Sequence, residues 1–375
     1  MRILVLSHEF PPIGGGGAKV IQDLCRGLAG CGHQLKVLTT HIKGLPEEEQ
    51  IGEVSIYRVD CGRLVPYRAR FSEMARFVAG GFLKGLRLAR DWRPDIIHVH
   101  FAVPAGALAW ALSSVTGVPY ILTVHGGDVP GGAPEKTARW FQWVYPFTHP
   151  IWHSARRVVA VSEHTRQLAL RHYPVDIRVI RNGFDFEALC PGEIKVGVPP
   201  RVIWAGRFMP EKNPIQVVRT LAELRDLDWN CVMIGDGPER SRVEAEIARL
   251  RMQDRFNVPG WVHQDSVMDW FRKSDVLFMP SLSEGLPIVG LQGLAMGLAI
   301  VATRVGGFVD MIEPFKNGFL VENPNGDGFS EPLRRLLSDA ELLKNFRQAS
   351  HVVANRFDIR HMVQAYQELL LETFE

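Results

Sequence analysis

Few cysteines occur in this sequence, and no two are placed to act together. Cys25, Cys31, Cys61, Cys190 and Cys231 are odd in number and form no C-x-x-C unit. That excludes a zinc or disulfide framework and leaves buried thiols in a reducing compartment as the expectation. No leader is read at the start, because Met1 to Glu9 is too short and too weakly basic, so a cytoplasmic location is expected. An unbroken membrane span is missing too. The uncharged run Phe101 to Val124 is long enough, but Pro104, Ser113-Ser114 and Thr116-Gly117-Val118-Pro119 divide it into a helix and then a strand. Charge of one sign is also scarce: the net charge is +2, and no nucleic-acid partner is expected.

What is present is a chain of 375 residues, 46% hydrophobic and 22% charged, long enough for two domains with their own cores. The small net charge hides an asymmetry. Residues 1–185 carry 22 Lys/Arg against 15 Asp/Glu, whereas residues 186–375 carry 21 against 26. Most of the basic excess lies between Arg63 and Arg93, with eight basic residues against Glu73 and Asp91.

Arg2 to Ser7 reads as an apolar strand, Gly14 to Gly17 as a glycine loop, and Val20, Ile21, Leu24, Cys25 and Leu28 as one face of a helix. Strand, glycine loop and helix open a Rossmann-like unit. The loop is not a dinucleotide fingerprint: G-x-G-x-x-G from Gly14 would need glycine at Lys19, and Thr40 stands near the place of the ribose-binding acid. Further strands are predicted at Leu35–Thr39, Val54–Val59, Ile96–Val99, Tyr120–Val124, Val158–Val161 and Ile177–Ile180, with Gly44–Gly52 a solvated loop. Strands alternating with helices imply a parallel sheet covered on both faces. The alternation restarts at Val202 to Ala205, after a Gly/Pro-rich stretch from Glu187 to Pro200 that fits a linker.

Within the first half, His98 and His100 alternate on a strand and could face one way. A metal site is one reading; a packed, hydrogen-bonded pair at the strand end is the favoured one. His125, in Thr123-Val124-His125-Gly126-Gly127-Asp128, ends a strand where α/β proteins hold ligands, and the glycines leave it unobstructed. Phe71, Met74, Ala75, Val78, Phe82, Leu86 and Ala89 fall at helical spacing, interrupted by Gly80-Gly81 and Gly85. With Arg70, Arg76, Lys84, Arg87 and Arg90 opposite, this reads as a packing helix with a solvated basic face; the alternative is a surface for anionic lipid or an acidic acceptor. Trp140, Phe141, Trp143, Tyr145, Phe147 and Trp152 are expected mainly in the core.

The second half is organised around Pro280-Ser281-Leu282-Ser283-Glu284-Gly285-Leu286-Pro287-Ile288-Val289-Gly290-Leu291-Gln292, which continues to Gly306-Gly307. The uncharged strand Val276 to Met279 leads through a short turn to Pro287, expected at the first position of a helix. Such a helix start directs free N–H groups and a positive dipole end at an anion. Gly285 allows close approach, and Glu284 offers a carboxylate to a hydroxylated group. Upstream, Arg207 and Lys212 follow a strand end beside a helix start. A planar guanidinium fork and an ammonium point charge there make a diphosphate clamp plausible.

The string Glu284-Gly285-Leu286-Pro287 resembles the donor-site signature of family 4 glycosyltransferases, Glu-Gly-x-Pro with a second acid eight positions after the first; here that position is Gln292. Arg207 and Lys212 match the diphosphate pair of the same family. Pro11-Pro12 with Gly15-Gly16 resembles its acceptor-domain loop, the segment of His125 its active-site histidine, and Arg178 to Asp185 its interdomain crossover. Gly235 lies in a family-like turn, and Phe256 to Val262 resembles the segment whose backbone reads the nucleotide base.

The resemblance implies a GT-B fold: α/β, two Rossmann-like domains with parallel sheets facing across a cleft. Residues 1–183 would bind acceptor, with a C-terminal helix from about 357 to 375 packing back on them, and residues 184–356 would bind donor. It implies a retaining, metal-independent transferase, and no D-x-D-like motif is visible in the donor half. The donor would be a nucleotide sugar, a UDP-sugar ahead of a GDP- or ADP-sugar, acting as substrate with no cofactor. The acceptor would be a glycan, lipid or small molecule, with an anionic membrane surface a further partner through Arg63 to Arg93, at the inner face. His125, Arg207, Lys212 and Glu284 are the expected catalytic set; Gly15, Gly16, Gly17, Gly235, Val262, Gly285, Leu286, Pro287, Ile288 and Gln292 the donor-binding set. A GT-B sugar-nucleotide epimerase, a non-catalytic GT-B binding protein and a nicotinamide oxidoreductase are the alternatives.

Overall fold

The computed structural model describes residues 1–66, 69–132, 141–185, 193–262 and 264–373. Tyr67, Arg68, Trp140, Cys190 and the start of the expected linker, 187–192, lie outside them. The chain forms two compact units, Met1–Gly183 with Ile359–Glu375, and Phe184–Asp358.

The first unit is built on β1 (Arg2–Leu6), β2 (Gln34–Ile42), β3 (Glu48–Ile51), β4 (Val54–Arg63), β5 (Ile96–His100), β6 (Tyr120–Val124), β7 (Arg157–Ala160) and β8 (Ile177–Val179). They are ordered β3-β4-β2-β1-β5-β6-β7-β8. All pairs are parallel except β3 with β4. Apart from Arg2, the central strands β1, β5 and β6 are buried throughout, with His98, His100 and Thr123 their polar members, as a sheet covered by helices requires. Strand order reverses between β1 and β5, so the ends of β1, β5 and β6 open at the topological switch where ligands bind in such sheets. The closing helix, Ile359–Glu372, lies against the helix Gly16–Gly30: a Cβ on Gly27 would come 2.2 Å from Val363 Cγ2.

Several expectations for this unit change. The stretch 44–52 is not all loop: β3 makes a hairpin on β4 with Gly52 and Glu53 at the turn. Its acidic run is drawn in by Arg58, whose Nη2 donates to Glu49 Oε2 at 2.6 Å. The helix Phe71–Trp92 is continuous through its glycines. They are contact points, because a Cβ on Gly81 or Gly85 would come 2.8 Å from Leu108 or 2.7 Å from Leu112. The buried face therefore runs through Glu73, Phe77, Gly81, Gly85 and Leu88, and leaves Phe71 and Leu83 exposed. Trp143 and Phe147 are also exposed, whereas Trp152 is buried and stacked on Tyr173. Cys31 is exposed, unlike the buried Cys25, Cys61 and Cys231.

The second unit holds β9 (Arg201–Ala205), β10 (Asn230–Ile234), β11 (Phe256–Gly260), β12 (Val276–Met279), β13 (Ala299–Thr303) and β14 (Gly318–Val321), ordered β11-β10-β9-β12-β13-β14. Numbered within the unit this is 3-2-1-4-5-6, the doubly wound order of dinucleotide-binding domains, and every pair is parallel. The switch lies between β9 and β12. The chain entering β9 is pinned there: Asp275 accepts from the N–H groups of Gly197 and Arg201, and the buried Arg347 pairs with Asp275 at 2.5 Å. Residues of the expected linker are thus tied to this unit.

Candidate active site

In the second unit, the loops leaving β9 and β12 meet at the switch. Gly206 and Phe208 donate to the carbonyls of Ile234 and Asp236, which fixes the path of the loop carrying Arg207. A short 3₁₀ turn, Pro210–Lys212, precedes the helix Pro214–Ala222. Its Glu211 carbonyl accepts from Leu282 N at 2.8 Å, joining the two loops. Across that joint, Lys212 Nζ lies 2.7 Å from both oxygens of Glu284. The ammonium side chain keeps 19% of its surface and the carboxylate only 5%, so the pair is poorly screened. Arg207, half-buried in the same loop, forms no ion pair among the described residues.

Glu284 is held from behind by glycines. Gly306 has φ +54°, and a Cβ there would come 2.0 Å from the Glu284 carbonyl oxygen; Gly307 N donates to Gly285 O. Nothing local in the sequence marks this brace. It depends on β13 lying beside β12. Pro287 is the N-cap, extended at φ −71°, ψ 120°, and the helix begins one residue later, at Ile288. Gly290 and Leu291 both donate to the Pro287 carbonyl, so Ile288 and Val289 lead the helix with N–H groups that have no partner within it. Leu286 is buried, and Gln292 lies one turn in, 7% exposed. Gly235 N donates to Gly260 O, bringing the end of β11, and the half-buried Val262 after it, beside the β10 turn.

In the first unit, the ends of β1, β5 and β6 gather a row of rings. Phe101 lies between His8 (centroids 4.9 Å) and His125 (4.4 Å), and it takes φ +72°, a conformation costly for an aromatic residue. Gly15 caps the helix Gly16–Gly30, and a Cβ on Gly17 would stand 3.5 Å from Phe101 and 3.9 Å from His125 Nδ1. Gly17 thus stands beside the Nδ1 edge of His125. Asp128 holds that histidine's turn: its carboxylate accepts from His125 N at 2.9 Å and from Ala102 N at 2.7 Å.

His98 and His100 are packed together (4.3 Å) and hydrogen-bonded outward, to Thr123 and His125 respectively. Among the described residues no three metal-ligating side chains are grouped to hold an ion. Burial lowers the histidines throughout: His8, His98 and His125 to about 3, and His100 well below its ordinary value. Lowered this far, all four imidazoles are neutral near pH 7. His8, Phe101 and Asp128 had no separate signal in the sequence; they stand two, one and four residues past the ends of β1, β5 and β6.

Two cations, a helix start and a carboxylate at the switch of a doubly wound sheet fit a ligand that carries both phosphate and hydroxyl groups. Comparison with known proteins supplies the class. The model for "Glycosyl transferases group 1" matches residues 192–352, and that for "Glycosyltransferase Family 4" matches residues 14–188. The 2-deoxystreptamine glucosyltransferase of Streptomyces kanamyceticus is 26% identical, over 91% of this chain and 95% of its own. Sucrose-phosphate synthase from Thermosynechococcus elongatus superposes with a TM-score of 0.86 at 20% identity, covering 100% of this chain and 99% of its own. Anabaena Alr3699/HepE in complex with UDP-glucose gives 0.77 at 18% identity, over 99% and 100%. The chain belongs to the group 1 glycosyltransferases and has the GT-B fold.

Proposed function

We propose that the protein is a retaining, metal-independent glycosyltransferase that takes its sugar from a nucleotide diphosphate donor, a UDP-sugar first. The observation that carries this reading is the Lys212–Glu284 pair beside the helix start at Ile288. Negative charge grows on the leaving diphosphate as the glycosidic bond breaks, and preorganised cations and N–H groups stabilise it there most. Arg207 and Lys212 supply the cations, and Ile288 and Val289 the N–H groups. Glu284 accepts from hydroxyls of the transferred sugar, which also frees Lys212 toward the phosphates. By the resemblance of its segment, His125 donates to the sugar. Gln292 takes the ribose hydroxyls, while Gly235 and the backbone near Val262 line the base. A donor phosphate oxygen takes the acceptor's proton, so no protein general base is assigned.

UDP is favoured because a solved neighbour of the same fold carries UDP-glucose. A hydroxylated small molecule is the simplest acceptor, in line with the 2-deoxystreptamine of one relative. The test is a screen of nucleotide sugars by thermal shift and hydrolysis in EDTA, then NMR of the product anomer. Stabilisation by no nucleotide sugar, or an inverted product, contradicts the reading.

A second partner, an anionic membrane surface, is favoured by one feature. On the helix Phe71–Trp92, Phe71 (61% exposed) and Leu83 (64%) stand outward with Arg76, Arg87 and Arg90. Apolar side chains among cations suit the interface of an anionic bilayer. Among the described residues no helix is long and apolar enough to cross one. Flotation with vesicles that contain anionic lipid, lost in high salt and absent with neutral vesicles, is the expected result; equal partitioning in both contradicts it.

A further inference from the structure

The His100–His125 contact settles a question that the transferase reading leaves open, namely which edge of His125 is a donor. His100 is buried, and its one hydrogen bond runs from Nδ1 to His125 Nε2 at 3.1 Å. The other nitrogen, His100 Nε2, is buried without a partner. A neutral imidazole has one N–H and one lone pair. With the proton on Nε2, His100 would bury an unused donor; with the proton on Nδ1, only a lone pair is left unused, and buried unpaired N–H groups are the rarer case. His100 Nδ1–H therefore donates, and His125 Nε2 accepts. A neutral His125 that accepts at Nε2 must carry its proton on Nδ1, the nitrogen facing Gly17.

We propose that His100 is a positioning residue that fixes His125 as its Nδ1–H tautomer, so that a hydrogen-bond donor faces the glycine loop. Its ligand there is an oxygen acceptor, a sugar hydroxyl or phosphate oxygen, and the consequence for turnover rests on the transferase reading above. The far side of the cluster keeps it in place: His98 Nε2 meets Thr123 Oγ1 at 2.9 Å, and Thr123 Oγ1 meets the hydroxyl of Tyr366, on the closing helix, at 3.1 Å.

The experiment is long-range proton–nitrogen NMR of the ¹⁵N-histidine-labelled full chain at pH 7, without ligand. The expected spectrum shows His125 protonated at Nδ1. In His100→Asp, whose carboxylate can accept but not donate, the proton should move to Nε2, with kcat/KM falling roughly tenfold, the worth of one lost hydrogen bond. In His100→Asn, whose amide can still donate, the Nδ1–H tautomer should return along with most of the lost activity. A wild-type His125 protonated on Nε2 overturns the proposal even if neither variant folds, and so does an unchanged tautomer in a folded His100→Asp. The tautomer shift with no change in turnover would leave this assignment standing and overturn the role given to His125 in transfer.

Discussion

Lys212 and Glu284 stand 72 residues apart in the chain, yet the ammonium lies 2.7 Å from each carboxylate oxygen. The contact exists because β9 and β12 are neighbours in the sheet and each sends its following loop to the same end. In the free protein the pair satisfies itself. On the proposed function, a bound donor would redirect each partner, Lys212 to phosphate and Glu284 to sugar, at the cost of one ion pair.

Lys212→Ala should thus act twice. Transition-state stabilisation should drop by about 2–4 kcal/mol, the range for a lost oxyanion donor. Stability should fall as well, by about 1–3 kcal/mol, because Glu284 is left nearly buried and unpaired while Lys212 itself was partly solvated. Adding Glu284→Gln should restore the stability and not the turnover. Steady-state kinetics and urea denaturation check both; kcat/KM within about threefold of wild type would contradict the clamp.

Gln292→Glu should lower donor KM by up to roughly tenfold with little change in kcat, since hydrogen bonds to a charged acceptor are worth about 1.5–3 kcal/mol against about 1 for neutral ones. The position is 7% exposed, so the unliganded variant should melt earlier than wild type and gain more from added nucleotide. Calorimetry that shows weaker binding of the same nucleotide to the variant would overturn this.

Acid should loosen the first unit. His8, His98 and His125 are held near 3 by burial first, against 6.5 when exposed. Between these values the unfolded chain binds protons that the folded one does not, so stability is complete above about pH 6.5 and declines as pH falls toward 3. Each imidazole adds at most about 1.4 kcal/mol per pH unit. His98→Asn should therefore flatten the slope by about one proton between pH 5.5 and 4; superposable slopes would show that His98 does not contribute.

Gly306→Ala should cost about 1–3 kcal/mol of stability and most of the activity, because its φ of +54° and the 2.0 Å approach of the Glu284 carbonyl leave no room for a methyl group. A fully active, equally stable variant would show that the brace is dispensable.

Much of the fold was legible because its central strands are buried on both faces and so read as short uncharged runs. Tyr120–Val124 starts directly after the Thr116–Pro119 turn, and Val276–Met279 lies between Asp275 and Pro280. The edge strand β3 was not, since Glu48 and Glu49 look solvated until Arg58 of β4 is beside them. Gly81 and Gly85 read as interruptions because their meaning lies in Leu108 and Leu112, on another helix. For the candidate site, sequence could put Lys212 and Glu284 each after a strand, but only strand order brings them together. The ring cluster of His8, His98, His100, Phe101 and His125 likewise needs β1, β5 and β6 side by side.

The most direct test of the account is to follow UDP-sugars with the purified protein in EDTA by proton NMR, with and without a polyol acceptor. The account predicts release of UDP with a first-formed sugar product of the same anomeric configuration as the donor, abolished in Lys212→Ala. Failure of every UDP-, GDP- and ADP-sugar to bind or turn over, or a product of opposite configuration, would contradict it.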